Sequence, residues 1–509
     1  MVDLDLSISF LFCLLPLLLL LFFVNSKSLF TSFFSSNSTT LPKSYPVIGS
    51  YFAILANKDR GIQWITDVVT STPTSTFVLH GPFGKRQVFT ANPSNVQHIL
   101  KTHFHVYQKG EVSRRTLKDL LGDGIFNVNG DTWKFQRHVA SQEFNTKCLR
   151  KFVETVVDTE LSDCLIPILS LAASNKTVLD FQDLLQRFAF DNICRIAFGY
   201  DPACLLPSLP QSKFADAFDE AVQFSAERGS ALLPLIWKMK KFFNIGSEKR
   251  LRMAVNKTRE FAKEIIKEKK QELNKKSSLD SVDLLSRFLS SGHSEVFVAD
   301  IVVSFILAGR DTTSMALTWF FWLLYNHPDV EHEILREIGE ISEESVYDEV
   351  KDMVYTHASL CESMRLYPPV PLDSKEATED DNLPDGTAVK KGTEVAYHPY
   401  AMGRMEKLWG PDWAEFRPKR WLERDTTTGK WSFVARDPYM YPVFQAGPRI
   451  CLGKEMAFLQ MKRVVAGVLR QYRVVPVVEE GDGPVFLSPL SMKMKGGLPV
   501  RIEERGEKF

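Results

Sequence analysis

Paired cysteines, an excess of charge of one sign and internal repeats are all missing from this 509-residue chain. The seven cysteines, Cys13, Cys148, Cys164, Cys194, Cys204, Cys361 and Cys451, are scattered, odd in number and never arranged as CxxC. That argues against a disulfide framework and against a structural zinc site, and it suits a reducing compartment. Lys plus Arg and Asp plus Glu both number 62, so no net field favours nucleic acid. Gly84-Lys85 lacks the Walker spacing, and Arg86 stands where a P-loop needs Ser or Thr. His327 and His332 show no metal-site pattern and read as solvent or capping residues. No repeat or long low-complexity linker divides the chain. One large catalytic unit behind a short N-terminal appendage is therefore expected.

The appendage is the run ISFLFCLLPLLLLLFFV, Ile8–Val24, 17 residues without a charge. Extended back to Leu4 it is just long enough to span a bilayer. Pro16 and the Val24-Asn25-Ser26 stretch would suit a cleaved signal peptide, but Asp3 and Asp5 replace its basic n-region. Lys27, the first basic residue, follows the run, so an uncleaved anchor leaves the body in the cytosol. The expected organisation is an anchor over 1–27, a tether and proline hinge over 28–50, and a catalytic domain over 51–509. The sequons at Asn37, Asn175 and Asn256 would then go unused.

Beyond the hinge, FVLHGPFGKRQVFT (Phe77–Thr90) predicts a hairpin. Helical patterning dominates from Pro93 to about Pro328. Asp180–Phe198 is one amphipathic helix. Arg250–Lys276 is another, with ten Lys/Arg against four Glu, suiting a solvated face or a contact with anionic lipid or an acidic partner. Glu295–Asn326 is apolar nearly all round and should run buried through the fold until His327-Pro328 stops it. A helix through CESMRLYPP, short strands after it, and a last helix from just behind Cys451 to about Tyr472 complete a mainly α (α+β) chain with small sheets.

One cysteine has an unusual setting. In FQAGPRICLG, Cys451 precedes a helix, whose N-terminus favours thiolate. Gly447 and Gly453 lack side chains beside it, which suits close approach of a flat ligand, and Arg449 adds a cation. An anionic sulfur with open faces is what haem iron takes as an axial ligand. Glu362 and Arg365 share a helix face at i, i+3, Trp133 and Arg137 at i, i+4, and Arg420 follows Pro418 in FRPKRW. Ala308-Gly309-Arg310-Asp311-Thr312 interrupts the long apolar helix. Thr312 could simply bond back to the Ala308 carbonyl, or serve chemistry.

The pattern Phe444-x-x-Gly447-x-Arg449-x-Cys451-x-Gly453 resembles the haem-binding signature of the cytochrome P450 superfamily. The resemblance implies haem b held by Cys451 as proximal ligand, Phe444 packed near the sulfur, and Arg449, Trp133 and Arg137 on the propionates. It implies a Glu362–Arg365–Arg420 brace, with Lys419 and Trp421 varying the usual form while the arginine is kept, and an oxygen-activation groove at Ala308, Gly309, Asp311 and Thr312. LGDGIFNVNGDTWKFQRHVAS, SMRLYPPVPLDSK and YAMGRMEKLWGP are similar to the plant branch, family 94, that hydroxylates fatty acids at or near the terminal carbon. That implies an endoplasmic-reticulum membrane enzyme using O2 and NADPH electrons delivered by a flavoprotein reductase. Gly124–Asn129, Phe305, Ala308 and Val370-Pro371-Leu372 would line its channel. The same branch also oxidises jasmonoyl–amino acid conjugates, and the motifs do not separate the two. A haem-thiolate hydroperoxide isomerase or dehydratase, or a membrane-tethered haem or lipid carrier, would not need Asp311-Thr312.

Overall fold

A computed structural model describes residues 41–506, apart from 211, 230, 232–233, 276–282, 342–344, 428, 478–483 and 489. The expected anchor and most of the tether lie outside the described residues. Among the described residues no helix is long and apolar enough to cross a membrane.

The Phe77–Thr90 hairpin forms as β1 (Thr76–His80) and β2 (Arg86–Thr90), antiparallel with Thr76 opposite Thr90. With β3 (Tyr107–Gln108), β4 (Asp373–Ala377), β5 (Asp381–Asn382), β6 (Ala388–Val389) and β7 (Glu394–Tyr397) the chain builds two sheets. One has the order β1-β2-β7-β4-β3; the other is the β5–β6 pair. Only β2 and β7 run parallel in the larger sheet, and between them lies most of the chain. Segments 107–108 and 373–397 are thereby tied together, which sets the floor beneath the cysteine loop.

The helices that matter for the site are α1 (Gly130–Ser141), α2 (Phe181–Phe198), α3 (Lys213–Gly229), α4 (Pro234–Phe243), α5 (Gly246–Lys275), α6 (Glu295–Tyr325), α7 (Val354–Leu366) and α8 (Lys454–Leu469). Capping explains several ends. Asp180 accepts from the Gln182 and Asp183 N–H groups to start α2, and Gly199 at φ +62 ends it. Ser294 caps α6 at Phe297 N–H. Of the glutamates on α5, Glu260, Glu264 and Glu268 are exposed, while Glu272 is half-buried and accepts from Lys269 Nζ at 2.6 Å.

Helix α6 joins two cores. Its C-terminal half packs Trp319 and Phe320 into a cluster shared with α7 and α8. Its N-terminal half, Val298–Ile306, packs with α3 and α5. The helix is continuous, and at Gly309 it packs tightly on α2: a Cβ there would meet Ile193 Cγ1 at 2.4 Å. Close helix packing thus gives this glycine a reason of its own. The π-helical turns at His98–Thr102, Phe152–Val157 and Leu161–Leu165 have no signature in the residue pattern.

His357 on α7 stacks on Phe458 of α8, with ring centroids 4.0 Å apart, and meets Phe433 edge-on. Burial, aided by Lys462 and Lys454, pushes its pKa down to about 3. An unfolded chain takes up this proton near pH 6.5, but the fold refuses it until about pH 3. Stability from this residue is therefore full above pH 6.5 and is lost as pH falls toward 3. His357→Phe keeps the stacking and should reduce the loss of unfolding free energy between pH 7 and 5 by about 2 kcal/mol. Denaturant titrations at the two pH values check this; an unchanged pH dependence in the variant would refute it.

Candidate functional site

The cysteine loop is built from two 3-10 turns, Pro442–Phe444 and Gly447–Arg449, with Gly453 as the residue before α8. The Cys451 N–H donates to the Phe444 carbonyl at 2.8 Å, and the Ile450 N–H to the Gly447 carbonyl at 3.1 Å. Phe444 packs on Phe458, 5.3 Å between ring centroids. Gly447 adopts φ +65, and a Cβ on it would lie 2.1 Å from the Leu100 carbonyl oxygen. Its lack of a side chain serves a backbone contact, not the ligand clearance that sequence reasoning proposed. At Gly453 a Cβ would meet only Phe144 at 3.7 Å and the Cys451 sulfur at 4.0 Å, so this glycine leaves one flank of the thiol open.

Cys451 is exposed, yet protein surrounds it closely enough for burial to push its thiol up. It therefore faces a hollow rather than bulk water. The Gly453 N–H, Arg137 and Lys454 oppose that rise without cancelling it. Two expectations are corrected here. The helix start does not by itself make a thiolate, because desolvation wins. The cations acting on the sulfur are Arg137 and Lys454, and Arg449 is not among them. Binding of a cation at sulfur is what would convert this thiol to thiolate.

Cations converge beside the loop. Arg449 lies over the Trp133 ring at 4.5 Å and donates through Nη2 to the Val128 carbonyl at 3.0 Å and Asn129 Oδ1 at 2.9 Å. Its Nε is buried with no acceptor. Burial depresses its pKa to about 10, with Arg137 adding to the fall and Asp373 opposing it. Arg137, one turn along α1 from Trp133, sits 5.8 Å from that ring. Asp373, whose charge acts on Arg449, is bonded instead by Lys109 and Lys375. Two like charges crowded together with so little counter-charge are costly. A ligand carrying two carboxylates relieves that cost, and with the sulfur this donor set fits haem.

Sequence reasoning missed part of this cluster. Lys375 is buried, and burial pushes its pKa to about 7 although Asp373 Oδ2 lies 2.5 Å from its Nζ. Lys109 Nζ reaches Asp373 Oδ1 at 3.0 Å, and Gln445, at φ 61, donates to Asp373 Oδ2 at 2.5 Å. Alternation in Asp373–Ala377, which points Lys375 inward with Ala377, was the available signal.

Between Val298 and Phe321 of α6, every residue is buried except Leu307, Ala308, Gly309 and Thr312, which are half-buried. Ala308 and Thr312, at i, i+4, form one small window. Leu452, next to Cys451, packs against the cluster that holds the N-terminal half of α6. The Thr312 hydroxyl donates to the Ala308 carbonyl at 2.7 Å, so its free lone pairs can only accept. Behind it, Arg310 Nη1 is shared between Asp311 Oδ1 at 2.9 Å and Asp219 Oδ1 at 2.6 Å, and Lys493 Nζ meets Asp219 Oδ2 at 2.8 Å. Asp219, held by two cations, falls below the ordinary range despite its burial. Burial raises Asp311, with Arg310 and Lys493 opposing the rise. The loop 122–129 closes on the same helix, with Asp123 N–H donating to Asp300 Oδ2 at 2.8 Å and Gly124 against Ser304.

A buried carboxylate anchors the loop from behind. Glu362 accepts from Arg365 Nε and Nη2, both at 2.8 Å, Arg420 Nε and Arg417 N–H, both at 3.0 Å, and Trp421 Nε1 at 2.9 Å. Trp421 is therefore a further donor to the brace. Arg365 spans to the Trp413 and Glu415 carbonyls. The Tyr441 hydroxyl ties α7 to the cysteine loop through the Cys361 carbonyl at 2.9 Å. Two clefts, of about 240 Å³ beside Tyr51, Phe224 and Trp237 and about 320 Å³ beside Trp409 and Arg420, lie away from Cys451.

The family model described as cytochrome P450 matches residues 40–497. The chain is 64% identical over 471 residues to cytochrome P450 94A1 of Vicia sativa, covering 92% of both chains. It is 64% identical over 475 residues to cytochrome P450 94A2 of the same plant, again 92% of each. To cytochrome P450 94B1 of Arabidopsis thaliana it is 47% identical over 471 residues, 92% of each.

Proposed function

The chain belongs to the cytochrome P450 family, as a monooxygenase similar to its family 94, and on that premise we propose that it hydroxylates fatty acids at the terminal or near-terminal carbon. The observation that carries the oxygenase reading is the polar pair Asp311-Thr312 beside a half-exposed window in an otherwise apolar buried helix.

The residues divide the work. Cys451 would hold the haem iron, with Phe444 in the same loop packed on Phe458. Arg137, Arg449 and the Trp133 indole N–H would hold its two propionates. Glu362, Arg365 and Arg420 hold the loop in place. When bound, haem supplies activation of O2, with electrons from NADPH delivered by a flavoprotein reductase. Thr312 offers lone pairs at the window, since its own proton is lent to Ala308. Asp311 holds and delivers a proton there, kept in place by Arg310. A terminal methyl C–H is stronger than the methylene C–H bonds beside it, so the pocket must present the chain end-on. Ile125, Phe126, Val128, Phe305, Val370 and Leu372 are the apolar residues proposed to line that channel.

The same reading assigns 1–27 as a single-pass anchor in the endoplasmic reticulum, 28–50 as tether and hinge, and 51–509 as a cytosolic catalytic domain. Exposed Leu235, Ile236, Met239, Phe242 and Phe243 on α4, interspersed with Lys238, Lys240 and Lys241, support a bilayer contact. Tyr51, just after the hinge, shares a cleft with this helix, which puts both on one side.

Turnover with reductase and NADPH on lauric acid, oleic acid and jasmonoyl-isoleucine tests the proposal, with the hydroxyl position read by mass spectrometry. Fatty acids hydroxylated at or beside the methyl end are expected. In that assay Thr312→Ala should retain haem and divert most NADPH oxidation to peroxide. Hydroxylation of the conjugate alone would favour the second substrate class. Product from a hydroperoxide without NADPH would favour an isomerase or dehydratase.

A further inference from the structure

His98, His103 and Asp381 take no part in the roles assigned above, and they converge. His98 Nε2 lies 2.8 Å and His103 Nδ1 3.1 Å from the same oxygen, Asp381 Oδ2. The imidazole centroids are 3.9 Å apart, and the three candidate ligand atoms all lie within 4.8 Å of one another. Two histidines and one carboxylate, on segments 278 residues or more apart in sequence, aim at one point.

The backbone makes this possible. Residues five apart on an α-helix point about 140° apart. Here His98–Thr102 is a π-helical turn, and the His103 N–H donates to the His98 carbonyl at 2.8 Å, a five-residue step. That register swings His103 back over His98. Single π turns inside helices recur at functional sites.

We propose that His98, His103 and Asp381 form a site for one divalent transition cation of the zinc class. Two of the three ligand atoms are imidazole nitrogens, which disfavours calcium and magnesium and suits zinc. Tetrahedral bonds of about 2.0–2.1 Å put ligand atoms about 3.3 Å apart, so the two spacings to Asp381, 2.8 and 3.1 Å, need to open by only a few tenths of an ångström. His103 is the most open of the three, its side chain 37% exposed against 11% and 12% for His98 and Asp381, and leaves room for a water as fourth ligand. The buried Tyr107 hydroxyl donates to Asp381 Oδ2 at 2.9 Å and orients the carboxylate from β3. Neither the absence of CxxC nor the four-residue gap between the histidines signals such a site in the sequence.

Its position suggests what the ion does. The π turn carries Leu100, whose carbonyl occupies the space that Gly447 leaves in the cysteine loop. An ion joining this turn to β5 would clamp the segment on which the loop rests.

Full-length protein freed of adventitious metal by chelator and dialysis is titrated calorimetrically with zinc chloride, and bound zinc is counted by mass spectrometry. One equivalent is expected in the wild type, with the thermal midpoint raised. The His98→Gln/His103→Gln double variant should lose that equivalent. Tyr107→Phe should keep the stoichiometry with affinity about tenfold weaker. An unchanged haem spectrum identifies variants that have folded; if the double variant has not, the more exposed His103→Gln replaces it. No saturable equivalent in the wild type, or equal uptake by a folded ligand variant, would overturn the proposal.

Discussion

Glu362→Gln should leave the protein unable to keep a stable haem-bound fold. Five N–H donors meet this one carboxylate, three from guanidinium groups, and both the glutamate and Arg365 are fully buried. Glutamine keeps the size but offers one acceptor oxygen, and it turns an NH2 group toward cations. Arg365 would then be a buried charge without its counter-ion, since its other partners are backbone carbonyls. Breaking a buried pair from one side costs about 3–5 kcal/mol. That is a large share of the roughly 5–15 kcal/mol that holds a domain together. Denaturant titration and haem content of the purified protein check this. Arg420→Lys should cost less, because Asp412 also holds Arg420 and the site is nearer the surface. A Glu362→Gln protein with normal haem content and an unchanged midpoint would show that the brace is dispensable.

The parts legible in the sequence are those where local chemistry and long-range packing agree. Helix α6 reads from its apolar run because it is buried nearly all round, and Pro328 marks its end. Helix α2 reads from Asp180 and Gly199 because cap residues act within a few positions. The spacing of Glu362 and Arg365 puts them on one face whatever surrounds them, and the structure pairs them. What stayed hidden depends on segments far apart in sequence. Trp421 and Arg417 become donors to Glu362 only once the loop after α7 folds back. Lys375 meets Asp373 within one strand, but Lys109 and the field of Arg449 reach it only through the pairing of β3, β4 and β7. The π turn at His98 is invisible to any pattern with a 3.6-residue period. Gly447 was legible as special, but for the wrong reason. Its setting suggested room for a ligand, whereas the packing shows the Leu100 carbonyl in that space.

The largest effect falls on Cys451. Its sulfur faces the hollow beside Arg137, and among the described residues no other cysteine lies in the loop. Burial favours the neutral thiol, so the anionic ligand exists only when metal and sulfur bind together. Cys451→Ala removes the sole soft donor and leaves Arg137, Arg449 and Trp133 in place. Those three should still attract the propionates, so some haem is retained in the pocket without a thiolate bond. Hydroxylase turnover should fall by several orders of magnitude, because donation from sulfur is what favours O–O cleavage. Cys361→Ala provides the contrast. That thiol is buried, its pKa is raised by burial, and its loss should cost stability but not ligation.

The central claim is therefore tested most directly by the carbon monoxide difference spectrum of the reduced protein, wild type beside Cys451→Ala. The wild type should show the absorption band of a thiolate-ligated haem, and the variant should lose it while still containing haem. A Cys451→Ala protein that retains the band, or a wild type loaded with haem that never shows it, would contradict the account.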